Sequence, residues 1–371
     1  MKIGIDARLY GSKHGGIGRY IENLIKQLEI IDSSNQYYVF LQKSNFDSYK
    51  PNSKHFVKVL ADFQVYGFSE QFIFPFLLKK YQLDLVHFTH FNAPILYRSQ
   101  FIVTIHDLII SHYPNSRATT KNIVIYKIKL FFYKLIINII ANKAQKIITV
   151  SEYSKKDIVQ LLKIKESKVI VTYEGVDLPS LGQIKCDQIK KDLGINRDFL
   201  LYVGSAYPHK NLEKLIEAFG QVLLVNNTLQ LVLVGSKNYF YSQLANEVKK
   251  ADLDESVILT DYLSDSDLAC LYREARLYIF PSLIEGFGLP PLEAQSYGLP
   301  VLSSFNSCLP EILGDSVLYF NPNNASELAR LIIEVLGNQQ TMDDLRNRGY
   351  NNLKQYSWHQ CALKTIEQYQ M

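Results

Sequence analysis

The sequence has few of the residues that mark disulfide-rich or zinc-binding proteins. Only four of its 371 residues are cysteines, and no two of them form a C-x-x-C pair. The sequence therefore predicts neither a disulfide framework nor a zinc site. Reduced thiols are the expected state, as in the cytosol. The cysteines are Cys186, Cys270, Cys308 and Cys361.

The sequence also lacks an apolar stretch that is both long and free of charge. The main candidate, 123–141, contains Lys127, Lys129 and Lys134, which argues against a helix that crosses a membrane. Two interpretations stay open: a core-packing helix with its lysines in water, or a basic amphipathic helix lying on a membrane. Residues 1–6 predict a short strand rather than a signal peptide. We expect a cytoplasmic protein, with peripheral contact to the inner face of an anionic membrane as the alternative.

Charge is divided unevenly along the chain. The net charge is only +4, but residues 1–175 hold 24 lysines and arginines against 13 aspartates and glutamates, and the remainder holds 16 against 23. A basic half suits an anionic partner, such as a phosphate-bearing substrate or a membrane surface, although a solvated face has the same composition. No nucleic-acid partner is expected.

The length and the hydrophobic pattern predict two α/β domains. A chain of 371 residues is longer than one core usually serves. Short apolar strands alternate with helical patterns up to residue 172 and again from residue 199, which favours mainly parallel sheets with helices on both faces. The pattern weakens over 178–197. We predict domains over 1–177 and 178–355, with a last helix over 356–371.

One stretch carries the most specific signal for chemistry. An apolar strand is followed by P-S-L-I-E-G-F-G-L-P-P-L-E-A over 281–294. Gly286 and Gly288 let the backbone approach a ligand, and a proline suits the first turn of the helix that follows. Free N–H groups and the helix dipole favour an anion there. Glu285 and Glu293 bracket this turn, so both can face one bound molecule, such as a sugar joined to a phosphate.

This stretch resembles the E-x7-E signature of the retaining GT-B glycosyltransferases of family 4, group 1, a family that includes mannosyltransferases. The resemblance implies two facing Rossmann-like domains, with a final helix that returns to the first. It implies transfer of a hexose from a nucleotide-diphosphate sugar, either GDP-mannose or a UDP-sugar, to a glycan or a lipid-linked saccharide, with retention of configuration. Surface polysaccharide or glycoconjugate synthesis is the expected setting.

The same resemblance implies roles for residues at matching positions. Glu293 would bind the ribose and Glu285 a hydroxyl of the donor sugar. His106, in the segment V-T-I-H-D-L, would contact the donor sugar, and Lys210 would hold the diphosphate. Three loops would supply further donor contacts, largely through backbone N–H groups: Gly15 and Gly16; Gly204 and Ser205; and Gly286, Phe287, Gly288 and Leu289.

The chain departs from the family pattern at positions that matter for phosphate binding. Ser205 stands where many members carry an arginine, and His209 stands where a closer subgroup has arginine. The second phosphate contact is therefore unassigned, with Arg8 and Arg19 as candidates. Glu174 also replaces a usual asparagine.

Two further motifs do not predict a cofactor or a metal. From Gly16 the first loop reads G-x-G-x-x-I, without the third glycine of the dinucleotide fingerprint. Asp265 and Asp267 match a D-x-D pattern, but with Ser264 they have the spacing of a helix cap and its first-turn acids. Two other functions would suit the same fold: a sugar-nucleotide epimerase, which needs no acceptor, and a non-catalytic nucleotide-sugar-binding protein.

Overall fold

The computed structural model of the protein describes residues 1–113, 123–177 and 186–370. Contacts divide these residues into two compact units. The N-terminal unit contains residues 1–113, 123–175 and 357–370, and the C-terminal unit contains residues 176–177 and 186–356.

The strands form one sheet in each unit. Those of the N-terminal unit are β1 (Lys2–Asp6), β2 (Gln36–Leu41), β3 (Phe56–Leu60), β4 (Leu85–Phe88), β5 (Phe101–Thr104), β6 (Ile147–Thr149) and β7 (Val169–Val171). Those of the C-terminal unit are β8 (Phe199–Val203), β9 (Gln230–Val234), β10 (Val257–Leu259), β11 (Leu277–Phe280), β12 (Val301–Ser304) and β13 (Leu318–Phe320).

Helices occupy most of the segments between the strands. They are α1 (Gly15–Ile31), α2 (Phe68–Phe72), α3 (Phe74–Lys80), α4 (Ile109–His112), α5 (Ile123–Lys143), α6 (Glu152–Leu162), α7 (Cys186–Leu193), α8 (Leu212–Leu223), α9 (Tyr239–Lys250), α10 (Asp265–Glu274), α11 (Leu289–Ser296), α12 (Leu309–Leu313), α13 (Ala325–Leu336), α14 (Gln339–Leu353) and α15 (Trp358–Tyr369). Short 3₁₀ turns cover Ser12–His14, Glu166–Lys168 and Pro208–Lys210.

Both sheets are parallel and share one strand order. The N-terminal sheet runs β3-β2-β1-β4-β5-β6-β7 and the C-terminal sheet runs β10-β9-β8-β11-β12-β13. In each sheet the first strand of the unit is an internal strand. The next two strands are added along one edge of it, and the remaining strands are added along its other edge. This is the doubly wound Rossmann arrangement, and it confirms the predicted α/β class with two Rossmann-like sheets.

The core of each unit lies between its sheet and the helices on the sheet faces. Every residue of β4, β5, β9, β11 and β12 is buried. A parallel strand covered on both faces reads as a continuous apolar run, which is why these strands are the clearest in the sequence. The helical segment over 68–80 is divided into α2 and α3, because Pro75 lies in the first turn of α3 and cannot donate the N–H that a continuous helix would need there.

The last helix belongs to the N-terminal unit, where α15 packs on α1. Trp358 anchors this packing, since its side chain is buried and its ring centroid lies 6.4 Å from that of Tyr20. A Cβ atom on Gly175 would lie 2.1 Å from the backbone nitrogen of Trp358. Glycine is therefore required where the chain passes under the start of α15.

The prediction of four separate thiols was wrong for one pair. Cys186 in α7 and Cys270 in α10 form a disulfide, with Cα atoms 5.4 Å apart and a sequence separation of 84. That separation leaves no local spacing to reveal the pair. Cys308 and Cys361 are buried free thiols.

Candidate functional site

The strand order of the C-terminal unit brings two predicted site loops together. The chain leaves β8 toward β9 on one side and leaves β11 toward β12 on the other, although β8 and β11 are neighbours in the sheet. Ligands of doubly wound sheets bind beyond the carboxyl ends of the strands at such a point. Gly204, Ser205 and Lys210 follow β8, and Glu285 follows β11. The fold thus places these residues at the expected ligand-binding edge.

Lys210 and Glu285 form a partly buried ion pair at this edge. The Nζ atom of Lys210 lies 2.6 Å from Oε1 of Glu285, and their side chains are only 17% and 9% exposed. A hydrogen bond from Leu283 N to the carbonyl of His209, at 2.7 Å, ties the two loops together. An ammonium and a carboxylate are therefore held side by side, where one can meet phosphate oxygens and the other a sugar hydroxyl.

The turn between β11 and α11 has the geometry that its glycines predict. Gly288 caps α11 with φ at +93°, and a proline occupies the first turn of the helix. A Cβ atom on Gly288 would lie 3.0 Å from Cδ2 of Leu309. Backbone conformation and space both select glycine there. Of the first three residues of α11, Leu289 has a backbone N–H, whereas Pro290 and Pro291 have none.

Two side-chain contacts in this site were not predicted from the sequence. Ser307 accepts a hydrogen bond on Oγ from the backbone N–H of Glu285, at 2.9 Å. Tyr272, which is buried, donates from its hydroxyl to Oε2 of Glu293 at 3.0 Å. Ser307 follows β12, so the rule that ligand-site loops follow parallel strands could have indicated it. Tyr272 lies within α10 and has no such signal.

Neither His209, which stands at one arginine position of the family, nor Arg8, one of the two candidate replacements, is suited to bind the second phosphate. Burial, together with the neighbouring charge of Lys210, lowers the pKa of His209 to about 4, so its ring is neutral at neutral pH. Arg8 lies in the interior of the N-terminal unit, where its guanidinium donates to Asp6 at 2.8 and 2.7 Å and to Glu70 at 2.7 Å. Arg8 therefore serves to neutralise two buried carboxylates.

His106 lies at the end of β5 in a closely packed environment. Its Nε2 atom is 3.1 Å from the carbonyl oxygen of Thr89, which can only accept, so Nε2 carries a proton. Its Nδ1 atom lies 3.4 Å from Oε1 of Glu174, and the ring of Tyr20 meets it edge-on at 4.7 Å. Glu174, at the position where the family has asparagine, is thus the charged neighbour of this histidine.

Helix α1 begins within the first glycine-rich segment, at Gly15. Gly15 and Gly16 are the first two residues of the helix, and both are exposed. The N–H of Gly15 donates to the carbonyl of Ser12, whereas Gly16 lies in the first turn, whose N–H groups have no partner inside the helix. Such groups are suited to bind an anion. Their predicted contact with the donor diphosphate remains a prediction.

The D-x-D segment forms the helix start that its spacing predicts. Helix α10 begins at Asp265, and Oγ of Ser264 accepts from the N–H of Asp267 at 3.2 Å. Within residues 1–113, 123–177 and 186–370, no group of three or more histidines, cysteines or acidic residues is arranged to hold a metal ion.

Comparison with known proteins assigns both halves of the chain to glycosyltransferases. The family described as glycosyl transferases group 1 matches residues 186–352, and the family described as glycosyltransferase family 4 matches residues 14–179. Among curated relatives, O-antigen chain mannosyltransferase B of Escherichia coli is 27% identical over 375 residues, covering 96% of each chain. O-antigen chain mannosyltransferase RfbU of Salmonella typhimurium is 28% identical, over 67% of this chain and 64% of its own.

Solved structures agree on the fold. The structure of HepE from Anabaena in complex with UDP-glucose superposes with a TM-score of 0.77 at 18% identity, over 100% of this chain and 99% of that one. Two parallel Rossmann-like sheets of this kind, with a strand-end site in the second, define a GT-B glycosyltransferase fold. The chain belongs to the group 1 glycosyltransferases of family 4, as its sequence predicts.

Proposed function

We propose that this protein transfers a hexose, with mannose the first choice, from a nucleotide-diphosphate sugar to a saccharide acceptor in surface polysaccharide synthesis. The observation that carries the proposal is the pair of Lys210 and Glu285, 2.6 Å apart, in the loops after β8 and β11, the second of which leads through Gly288 into α11. Two relatives named as O-antigen chain mannosyltransferases support the sugar and the setting. HepE, solved with UDP-glucose, supports the class of donor.

The proposed chemistry relies on stabilising the leaving diphosphate. The bond between the anomeric carbon and the phosphate oxygen breaks, a new bond forms to the acceptor oxygen, and the acceptor proton passes to the departing phosphate. Negative charge grows on the diphosphate, where Lys210 and the N–H groups of Phe287 to Leu289 are placed to stabilise it. Glu285 would hold a sugar hydroxyl and Glu293 the ribose. Retention of configuration and independence of metal are parts of this proposal.

Donor binding and retention can be tested on the intact protein. We expect one or two members of a panel of UDP-, GDP-, ADP- and dTDP-sugars to raise the melting temperature, because a ligand that binds only the folded state stabilises it. NMR of the product formed from that donor should show the anomeric configuration of the donor. No stabilisation by any of the four would contradict the proposal. A new nucleotide sugar formed without an acceptor would instead identify an epimerase.

We also propose that the N-terminal unit contacts an anionic membrane through α5 and the α2–α3 segment. The α5 residues Phe131 and Phe132 are 64% and 53% exposed, and Phe68 and Phe76 of α2 and α3 are 87% and 75% exposed. Lone exposed apolar residues are ordinary, but several large ones on helices that contact the same loop indicate an interaction surface. The C-terminal part of α5, with Ile137, Ile140 and Ala141, is buried in the core. We therefore propose that only the earlier part of the helix contacts the membrane.

These two exposed regions flank one loop, and α5 lies in a basic stretch of the sequence. The ring of Phe91 in that loop packs against Tyr133 of α5 at 5.2 Å, and the N–H of Ile95 donates to Gln71 of α2 at 2.9 Å. No aspartate or glutamate occurs between residues 108 and 151, where the sequence has seven lysines and arginines. Aromatic side chains with surrounding lysines suit the interface of an anionic bilayer. Among the described residues, none of the helices is long and apolar enough to span one.

Vesicle binding tests this surface. We expect co-sedimentation with vesicles of phosphatidylglycerol and phosphatidylethanolamine, weakened about tenfold or more in the double variant Phe68→Ser and Phe131→Ser, since each buried phenyl ring contributes about 1.5–3 kcal/mol. Leu224→Ser is the matched control, because Leu224 is 87% exposed in the C-terminal unit. Equal binding by the double variant and the control would exclude this surface.

A further inference from the structure

The loop after β8 has its carbonyl groups fixed by three buried tyrosines. The hydroxyl of Tyr278 donates to the carbonyl of Val203 at 3.2 Å, and that of Tyr241 to the carbonyl of Gly204 at 2.8 Å. The hydroxyl of Tyr202 donates to the carbonyl of Ser205 at 2.9 Å. Each of three consecutive peptide groups is thus held in a fixed orientation by a side chain from β8, α9 or β11.

The arrangement requires a close approach that the sequence provides. A Cβ atom on Gly235 would lie 2.2 Å from both the hydroxyl of Tyr241 and the carbonyl oxygen of Gly204. Glycine at 235 therefore lets this hydroxyl reach the loop. Burial also raises the pKa of all three phenols, so the hydroxyls keep their protons and remain donors.

The orientation of the carbonyls determines that of the amides. No cis peptide bond occurs in the described residues, and across a trans peptide the C=O and the following N–H point in opposite directions. The N–H groups of Ser205 and Ala206 must therefore point away from Tyr241 and Tyr202. The N–H of Gly204 is taken by the carbonyl of Val234 at 2.9 Å, whereas within the described chain no acceptor takes the N–H of Ser205 or Ala206.

We infer that the amides of Ser205 and Ala206, oriented by the three tyrosine hydroxyls, bind the donor diphosphate in place of the arginine that the family usually carries. The inference rests on the proposed function. Successive backbone N–H groups form a concave site for an anion, and Lys210 in the same loop supplies the positive charge. Tyr202, Tyr241 and Tyr278 are positioning residues, since they act on the ligand only through the backbone.

The test measures how much the second phosphate contributes to binding. Calorimetric titration of the wild type with GDP, UDP, ADP and dTDP, and with the matching monophosphates, gives the ratio of diphosphate to monophosphate affinity for the base that binds. In Tyr241→Phe this ratio should fall about three- to tenfold with the monophosphate affinity unchanged, the size of effect expected for one hydrogen bond. Tyr202→Phe should act in the same direction through the carbonyl of Ser205. Adding Ser205→Arg to Tyr241→Phe should restore the ratio, because a guanidinium can replace the amides.

Tyr319→Phe is the control, because its hydroxyl also donates to a backbone carbonyl, that of Gly314 at 2.7 Å, but outside this loop. An unchanged ratio in both Tyr241→Phe and Tyr202→Phe, or an equal loss for diphosphate and monophosphate, would overturn the inference while leaving donor binding by the wild type intact. A wild type that binds none of GDP, UDP, ADP and dTDP would overturn the proposed function and this inference together.

Discussion

Replacing Lys210 or Glu285 by alanine should lower the rate of sugar transfer by about tenfold or more, which corresponds to about 1.4 kcal/mol per decade. In the proposed mechanism Lys210 stabilises charge that develops as the diphosphate leaves, so its loss should lower kcat more than it raises KM. In the same proposal Glu285 orients both the sugar and the ammonium of Lys210, which lies 2.6 Å away. The double variant should lose less than the product of the two single effects, because the side chains act as a pair.

Steady-state kinetics with the donor identified by the binding panel measures this effect. Lys214→Ala is the matched control, since Lys214 forms a similar pair with Glu217 at 2.7 Å on the exposed side of α8. We expect the control to retain wild-type rates. If Lys210→Ala and Glu285→Ala also retained them, neither residue would have the role proposed here.

Replacing Arg8 by methionine should destabilise the protein by about 3–5 kcal/mol, the cost of leaving buried carboxylates without their cation. The side chains of Arg8 and Glu70 are 0% and 1% exposed, and that of Asp6 is 7% exposed. Glu70 also accepts from the side chain of Asn92 at 2.6 Å and from the backbone of Tyr66 at 2.8 Å. Loss of the guanidinium would therefore disturb a network that joins β1, α2 and the loop after β4.

The destabilisation caused by Arg8→Met should depend on pH in a definite direction. Burial raises the pKa of Glu70, and removal of Arg8 should raise it further. A carboxyl group whose pKa is higher in the folded state destabilises the fold above that pKa, and the penalty decreases as the pH falls through it. The stability difference between Arg8→Met and the wild type should therefore be smaller at pH 5 than at pH 8 in urea unfolding.

The control for this prediction is Arg276→Met. Arg276 pairs with Asp198 at 3.1 Å, but both side chains are well exposed, and such pairs contribute at most about 1 kcal/mol. Equal stability of the Arg8 and Arg276 variants would show that the buried network does not carry the stability assigned to it.

The amino-acid sequence by itself determined the parts of this protein that depend on local pattern. Buried parallel strands read as apolar runs, so both sheets could be predicted, and the turn at Gly286 to Leu289 could be predicted from its glycines and prolines. The cap at Ser264 followed from spacing alone. Family membership followed from a motif whose residues are close together in sequence.

Only the tertiary structure decided which distant groups meet. The disulfide between Cys186 and Cys270, the burial of Arg8 between two carboxylates and the tyrosine hydroxyls on the carbonyls of residues 203–205 join segments with no shared local pattern. The exposure of Phe68 and Phe131 also could not be predicted from the sequence, because the sequence pattern of an apolar residue is the same whether its side chain faces the core or water. The physical reason is that periodicity reports the face of an element, whereas packing of the whole chain decides what that face contacts.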